Sequence, residues 1–276
     1  MRLLAALVCG LAAFAPPPAP RYEVYAVRFG ELHGVPLAVL VAGADTSRRQ
    51  DLAFMVWLMK GPNGRTVLLD AGFYREKVKQ FYSPSGFETP STALAKVGVR
   101  PEDVTDVIIS HVHSDHLDGA DLFPNAHLWI QRDEYRHYVG ANGEPLDRGI
   151  DTADAAMLAR LYSAGRVTLV DGDAREIIPG ITVYTGGRHT FASQYVGVST
   201  SAGTVVLASD NAYVYMNIAT HMPIRQTFSP GDTTMNRQAL ERMERIATSP
   251  RLIVPGHDPD VFVRFPTPGN GVARIQ

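Results

Sequence analysis

Hydrophobic and polar positions divide the chain into short alternating runs, which predict strands, and longer runs with helical spacing. YEVYAVRF (22–29), VPLAVLV (35–41), LAFMVWLMK (52–60) and TVLLD (66–70) are rich in β-branched and aromatic residues and read as strands. Pro62-Asn63-Gly64 between the last two predicts a hairpin. STALAKVG (91–98) reads as a helix with Ser91 as its N-cap. VTDVIIS (104–110) and AHLWIQ (126–131) are further strands, and 132–139 and 151–165 read as helices. The second half repeats this style without repeating the sequence. VTLV (167–170), ITVYTGG (181–187), QYVGVST (194–200) and GTVVLAS (203–209) read as strands, with Ala202-Gly203 turning the last pair. A helix over 234–248 precedes a final strand, RLIVPGH (251–257). No linker, low-complexity block or short repeat interrupts 21–276. Two strand-rich halves, each with helices, predict one α/β domain of two sheets packed face to face with helices outside.

The N-terminus breaks the pattern. MRLLAALVCGLAAFA places Arg2 before an apolar run that ends in Ala13-Phe14-Ala15, and APPPAP follows. This is the layout of a signal peptide, too short to span a bilayer comfortably, so residues 1–20 read as a signal peptide with a Pro-rich leader. It predicts an exported protein, periplasmic or secreted, with no stable membrane insertion once the signal is removed. Cys9 is the only cysteine. Its loss with the signal leaves no thiolate, so any metal chemistry must use nitrogen and oxygen donors. Over 276 residues the formal net charge is −2, which offers no basic footprint for nucleic acid.

One stretch concentrates chemistry. SHVHSDHLDG (110–119) puts His111, His113 and His116 around Asp115, directly after an apolar strand, in a chain with 9 histidines. His189, Asp210 and His257 each follow another predicted strand, where loops can converge. Imidazole and carboxylate are the donors that divalent metals take in such sites. The set suffices for two ions, one held by His111, His113 and His189, the other by Asp115, His116 and His257, with Asp210 bridging. Zn²⁺ suits these donors, and Fe, Co or Mn can occupy the same set. Asp118 reads as a helix N-terminal cap, and His33, His127, His137 and His221 as surface or core residues.

The His-x-His-x-Asp-His motif after an apolar strand, followed by His, Asp and His at later strand ends, resembles the metallo-β-lactamase superfamily. LLDAG (68–72) is similar to that family's earlier Asp-Thr-Gly motif, with Ala71 in place of Thr. The resemblance implies an αββα sandwich of two mixed sheets, and a supporting role for Asp70 behind the ligands. Within the superfamily the chain most resembles the N-acyl homoserine lactonases. The 130–135 stretch (IQRDEY), Gly-His-Asp at 256–258, and Tyr213 three residues after Asp210 carry this likeness. At the third histidine the family pattern Pro-Gly-His-x-Pro-Gly is replaced by Gly186-Gly187-Arg188-His189-Thr190.

The resemblance implies a binuclear metal-dependent hydrolase that opens a small lactone, with Asp115 carrying a proton to the leaving oxygen and Tyr213 polarising the carbonyl. Asp210 argues against the β-lactamases themselves, which generally lack the bridging aspartate. Thioesters, phosphodiesters and other esters are the alternatives within the fold. A periplasmic metal-binding or redox protein is the alternative outside it.

Overall fold

The computed structural model describes residues 20–276, so the leader read over 1–20 lies outside the described residues except for Pro20. The chain begins with β1 (Glu23–Pro36), a helical turn α1 (Leu37–Leu40), β2 (Arg49–Lys60) and β3 (Thr66–Leu69). Helices α2 (Glu76–Tyr82) and α3 (Pro90–Ala93) lead to β4 (Asp106–Ile108), and α4 (Ser114–Leu117) leads to β5 (His127–Gln131). Next come α5 (Arg132–Tyr138), α6 (Thr152–Ser163), β6 (Val167–Val170), β7 (Arg175–Ile178), β8 (Ile181–Thr185), β9 (Gln194–Thr200) and β10 (Gly203–Ser209). The chain closes with α7 (Tyr215–Thr220), α8 (Thr233–Ile246), β11 (Ile253–Pro255), α9 (Val261–Arg264) and β12 (Val272–Arg274).

The strands form two mixed sheets, ordered β12-β1-β2-β3-β4-β5-β6 and β11-β10-β9-β8-β7. In the larger sheet β3, β4, β5 and β6 run parallel and the other pairings are antiparallel. In the smaller, β10 and β11 are parallel and the rest antiparallel. Period-two alternation decides which core each residue enters. Along β2, Met55, Trp57 and Met59 point between the sheets, where they join Val183, Val196 and Val206. Phe54, Val56 and Leu58 point to the other face, where they meet Ala155, Leu158 and Leu161 of α6. The three-residue spacing of that α6 stripe is why the segment is a helix against a sheet. Asp151 caps it by accepting from Ala153 N–H at 2.8 Å. Among the described residues no helix is long and apolar enough to cross a membrane.

Several local expectations change. Residues 37–40 of the strand read over 35–41 form α1, because Pro36 and the turn after β1 end the sheet pairing at Pro36↔Arg49. The helix over 91–98 is split into α3 and a 3₁₀ turn, and its cap is Thr89, which accepts from Thr92 N–H, rather than Ser91. Helices α2, α7 and α9 and strands β7 and β12 have no strong local period. β12 exists because β1 offers it an edge, with Tyr25 opposite Arg274.

The alternation has a measurable consequence. Leu128, on β5, is fully buried in the cluster under α6. Leu128→Ala is predicted to cost about 2–5 kcal/mol in denaturant unfolding. Leu146→Ala, 56% exposed, should stay within about 0.5 kcal/mol. Equal effects of the two would contradict this core assignment.

Candidate metal centre

Chain direction gathers the polar loops. β3 and β4 are parallel, and β8, β10 and β11 run in one direction because β8 and β10 both pair antiparallel with β9. Asp70 follows β3, the histidine motif follows β4, and His189, Asp210 and His257 follow β8, β10 and β11. The backbone turns sharply at these ends. Asp70, Arg188 and Ser209 have φ of 63°, 56° and 46°, a left-handed conformation that disfavours residues with a Cβ. The last two immediately precede His189 and Asp210. Gly256, just before His257, is needed for close approach, since a Cβ there would lie 2.8 Å from the Ser209 carbonyl.

Two trios result. The ring nitrogens of His111 (Nε2) and His189 (Nε2) lie 3.0 Å and 2.9 Å from Nδ1 of His113. Asp115, His116 and His257 form the second trio, with Asp115 Oδ2 3.4 Å from His116 Nε2 and 3.8 Å from His257 Nε2. Asp210 stands between them. Its Oδ2 is 3.8 Å from His111 and 3.4 Å from His189, while its Oδ1 is 3.2 Å from His116 and 3.0 Å from His257. Thus the structure brings all seven residues singled out in the sequence into one place.

An outer layer orients the rings. Asp70 Oδ2 accepts from His116 Nδ1–H at 2.8 Å, and from the Ser110 and Ser209 hydroxyls at 2.9 Å each. Gln226 O accepts from His189 Nδ1–H at 3.0 Å, and Ala53 O from His257 Nδ1–H at 3.1 Å. The Ser110 hydroxyl accepts from His111 Nδ1–H at 2.9 Å. Each of these four rings therefore turns Nε2 inward, toward the centre of the site.

Glu134 is a support that sequence reasoning did not single out, although it lies within the 130–135 stretch. It is fully buried and accepts from Val112 N–H (3.2 Å), the Thr190 hydroxyl (2.6 Å) and Ala192 N–H (2.6 Å). Val112 separates two ligand histidines, and Thr190 follows His189, so one carboxylate ties both loops of the first trio. Thr190 belongs to the loop that departs from the Pro-Gly pattern. Burial pushes Glu134 up to about 7, against the pull of its three donors. On the other side, the Ser114 hydroxyl at the start of α4 donates to Asp154 at 2.7 Å, and Asp154 pairs with Arg75 at 2.6 Å. Asp118 does not cap its own helix as expected. It closes the C-terminal end of α4 and accepts from the backbone N–H of Tyr74 and Arg75.

The donor set fits a divalent cation. His116 Nε2 and Asp210 Oδ1 are buried yet make no well-aligned hydrogen bond. Burial and the neighbouring histidines hold His111 well below its ordinary range, and burial with His189 pushes His113 down to about 3, so these rings stay neutral. Burial opposes charge on His116 and His257 as well, but Asp210 and the other carboxylates raise both. Burial disfavours charge on Asp210 too, yet His116 and His257 hold it well below the carboxylate range. The pocket thus favours positive charge beside the buried carboxylates. A bound cation would supply it while meeting the orphaned lone pairs.

A cleft of about 980 Å³ opens onto the site, reaching His113, Asp115, Asp210 and His257. Leu32, Leu40, Leu52, Phe54 and Val78 give it an apolar wall, and Val39 and Phe81 are exposed at 50% and 80%. Tyr213 lines the cleft, with its hydroxyl 3.4 Å from His189 Nδ1. Tyr215 begins α7 and packs elsewhere, under the Arg264 guanidinium at 3.6 Å. Tyr82, at the end of α2, also lines the cleft and was not found from sequence, because α2 itself has no clear period. The other four histidines lie apart: His33 contacts Asp51, His127 Thr168, His137 the Phe191 ring and His221 Glu244.

The Glu134 tie can be tested directly. Gln keeps the shape but turns an NH₂ toward groups that are themselves donors. Glu134→Gln is predicted to cost about 1–3 kcal/mol in stability and to speed loss of bound metal to a chelator. Parental stability and metal retention in this variant would contradict the role.

Residues 50–257 match the family model of the metallo-beta-lactamase superfamily. An N-acyl homoserine lactonase of Bacillus cereus is 29% identical over 170 residues, covering 60% of this chain and 61% of that protein. Metallo-beta-lactamase domain-containing protein 1 of Mus musculus is 31% identical over 165 residues, covering 60% of this chain and 52% of that protein. The chain thus spans about three-fifths of the length of the lactonase it matches. The crystal structure of a quorum-quenching N-acyl homoserine lactone lactonase superposes with a TM-score of 0.71 at 21% identity, over 88% of this chain and 94% of that one. A lactone hydrolase solved with N-hexanoyl-L-homoserine bound at its catalytic metal centre gives 0.71 at 20% identity, over 88% and 95%. With two mixed sheets flanked by helices, the histidine motif after β4 and a family match spanning 50–257, this chain belongs to the metallo-β-lactamase superfamily.

Proposed function

We propose that the protein is a binuclear metal-dependent hydrolase that opens N-acyl homoserine lactones or closely related lactones. The observation that carries this reading is Asp210, which turns one oxygen to each of the two trios, with the Tyr213 phenol beside it in the same cleft. The lactonase relatives support the choice of substrate class, and the apolar wall suits a ring bearing an aliphatic substituent.

His111, His113 and His189 would hold one ion, Asp115, His116 and His257 the other, and Asp210 both. Bound there, two divalent ions supply Lewis acidity and lower the pKa of water toward neutrality. The chain's own residues do the rest. As the lactone carbonyl becomes tetrahedral, charge gathers on its oxygen, and Tyr213 O–H donates to it. Burial, with Asp210 and Asp115 nearby, keeps that phenol protonated by raising it well above its ordinary value. The attacking water must lose a proton as its C–O bond forms, and the ring oxygen must gain one as its bond breaks. Asp115, between the site and the cleft, accepts the first and delivers it to the second. The apolar wall holds the substituent and excludes water.

Purified protein is predicted to contain about two divalent ions per chain, and Asp210→Ala should lower that number. On metal-loaded protein, a panel of lactones, β-lactams, thioesters and phosphodiesters should show lactones turned over best. A preferred substrate outside the lactones would keep the family and overturn the substrate class. Tyr213→Phe should lower kcat by about 10–10²-fold with metal content unchanged, and Tyr215→Phe should not. Export is part of the proposal: N-terminal sequencing of the secreted or periplasmic form should find the leader removed, whereas an intact Met1 in the cytosol would refute it.

A further inference from the structure

The loop that carries His189 holds a backbone conformation its sequence does not favour. Arg188 has φ of 56°, where glycine sits freely and a residue with a Cβ does not. No proline stiffens 186–192. An arginine stays left-handed only if its surroundings hold it there. Its side chain shows what those surroundings are. The guanidinium lies 5.0 Å from the centre of the Phe191 ring and 5.1 Å from that of Phe228, and the two rings meet edge to face at 5.4 Å. His137 stacks on Phe191 at 4.1 Å, with the planes 3° apart. Asp232 Oδ2 stands 3.5 Å from Arg188 Nε.

Phe228 belongs to the segment between α7 and α8, which runs as a strap from the cleft wall to the metal centre. At its start the strap is tied to 40–42: Ala42 N–H donates to Pro223 O at 2.9 Å, and Arg225 N–H to Leu40 O at 3.2 Å. Gln226 then lines the cleft, and its carbonyl accepts from His189 Nδ1–H at 3.0 Å. Two residues on, Phe228 N–H donates to Arg188 O at 2.7 Å. Residues 225–229 form neither strand nor helix, so no ladder of their own fixes that carbonyl.

We propose that Arg188 is a positioning residue for His189. Its guanidinium, clasped by the Phe191 and Phe228 rings, holds the strap against the loop so that the Gln226 carbonyl keeps His189 Nε2 turned to the metal centre. This rests on the reading of His189 as a ligand. A hydrogen bond to Nδ1 orients an imidazole only as well as its acceptor is held. Attraction between the cation and the ring faces supplies that hold from the side chain, beside the one backbone bond at Phe228. A planar guanidinium can lie against aromatic faces in a way an ammonium cannot. The left-handed backbone at Arg188 is then what aims this side chain at the two rings.

Two variants separate the clasp from the backbone. Arg188→Gly relieves the φ and removes the guanidinium, whereas Phe228→Leu keeps Arg188 and removes one ring. Zinc-loaded protein is mixed with excess EDTA, well below the unfolding temperature of every variant, and metal loss is timed. The visible spectrum of cobalt(II)-loaded protein reports the ligand geometry. Metal loss should be faster by about 3–10-fold in each variant. That is less than the roughly 10–100-fold typical when a direct partner of a ligand histidine is lost, because the Gln226 carbonyl remains. The double variant should lose metal no faster than either single one, since both break the same contact. The cobalt bands should shift in both, and Arg188→Lys should fall between the parent and Arg188→Gly. Parental metal loss and cobalt bands in Arg188→Gly would overturn the proposal, even if that variant unfolds at a lower temperature, because the clasp would then be merely structural. Independent effects that multiply in the double variant would overturn it too. A parent that binds no metal would sink the ligand reading and this proposal with it. A parent that binds metal but hydrolyses no lactone would sink the substrate class alone.

Discussion

Asp210 turns one oxygen toward His111 and His189 and the other toward His116 and His257, and the rest of the site is arranged so that it can. Five imidazoles and two carboxylates share this space, all buried except His113 and Asp115, which are half-buried at the cleft, and Asp70 lies directly behind. A buried carboxylate is costly unless cations or hydrogen-bond donors surround it. Here the rings of His116 and His257 favour the charged carboxylate, and a pair of divalent ions would balance it more completely. The first trio of rings, held neutral, is set to bind through lone pairs. The second, richer in carboxylate, is set to offset charge.

Holding such a set together costs the backbone something. Asp70, Arg188 and Ser209 are left-handed, and Gly256 allows an approach that no side chain would permit. The two sheets carry that cost because their cores are large and continuous. Hydrogen bonds then convert sheet rigidity into ligand geometry: Asp70 just after β3 orients a ring of α4, and Glu134 from α5 joins the loops after β4 and β8. The parallel strands of the larger sheet, and the shared direction of β8, β10 and β11, put every one of these turns at the same edge.

Much of this was legible in the sequence because it is local. The histidine motif is dense, and His189, Asp210 and His257 each follow a run of buried strand residues. The two sheets could be read from short, continuous apolar runs such as that of 52–60. Less legible was anything decided by distant partners. β12 depends on an edge offered by β1, and α2 has too few buried positions for a period, with only Val78 buried. Tyr82 was hidden for that reason, since its place in the cleft depends on Phe54 and Phe73 from other parts of the fold. Glu134 was visible as part of a stretch but not as a tie, because its three donors lie 22, 56 and 58 residues away. Asp118 misled in the opposite sense: a short acid near a helix suggests a cap, but tertiary contact with the Tyr74–Arg75 backbone claimed it.

The central claim is that Asp210 joins two cation sites into one centre. Anomalous scattering from crystals grown with zinc, recorded on either side of the zinc absorption edge, tests it most directly. The account predicts two peaks about 3.5–4 Å apart, one among His111, His113 and His189 and the other among Asp115, His116 and His257, with Asp210 touching both. A single peak at full occupancy, with Asp210 turned away from it, would contradict the account.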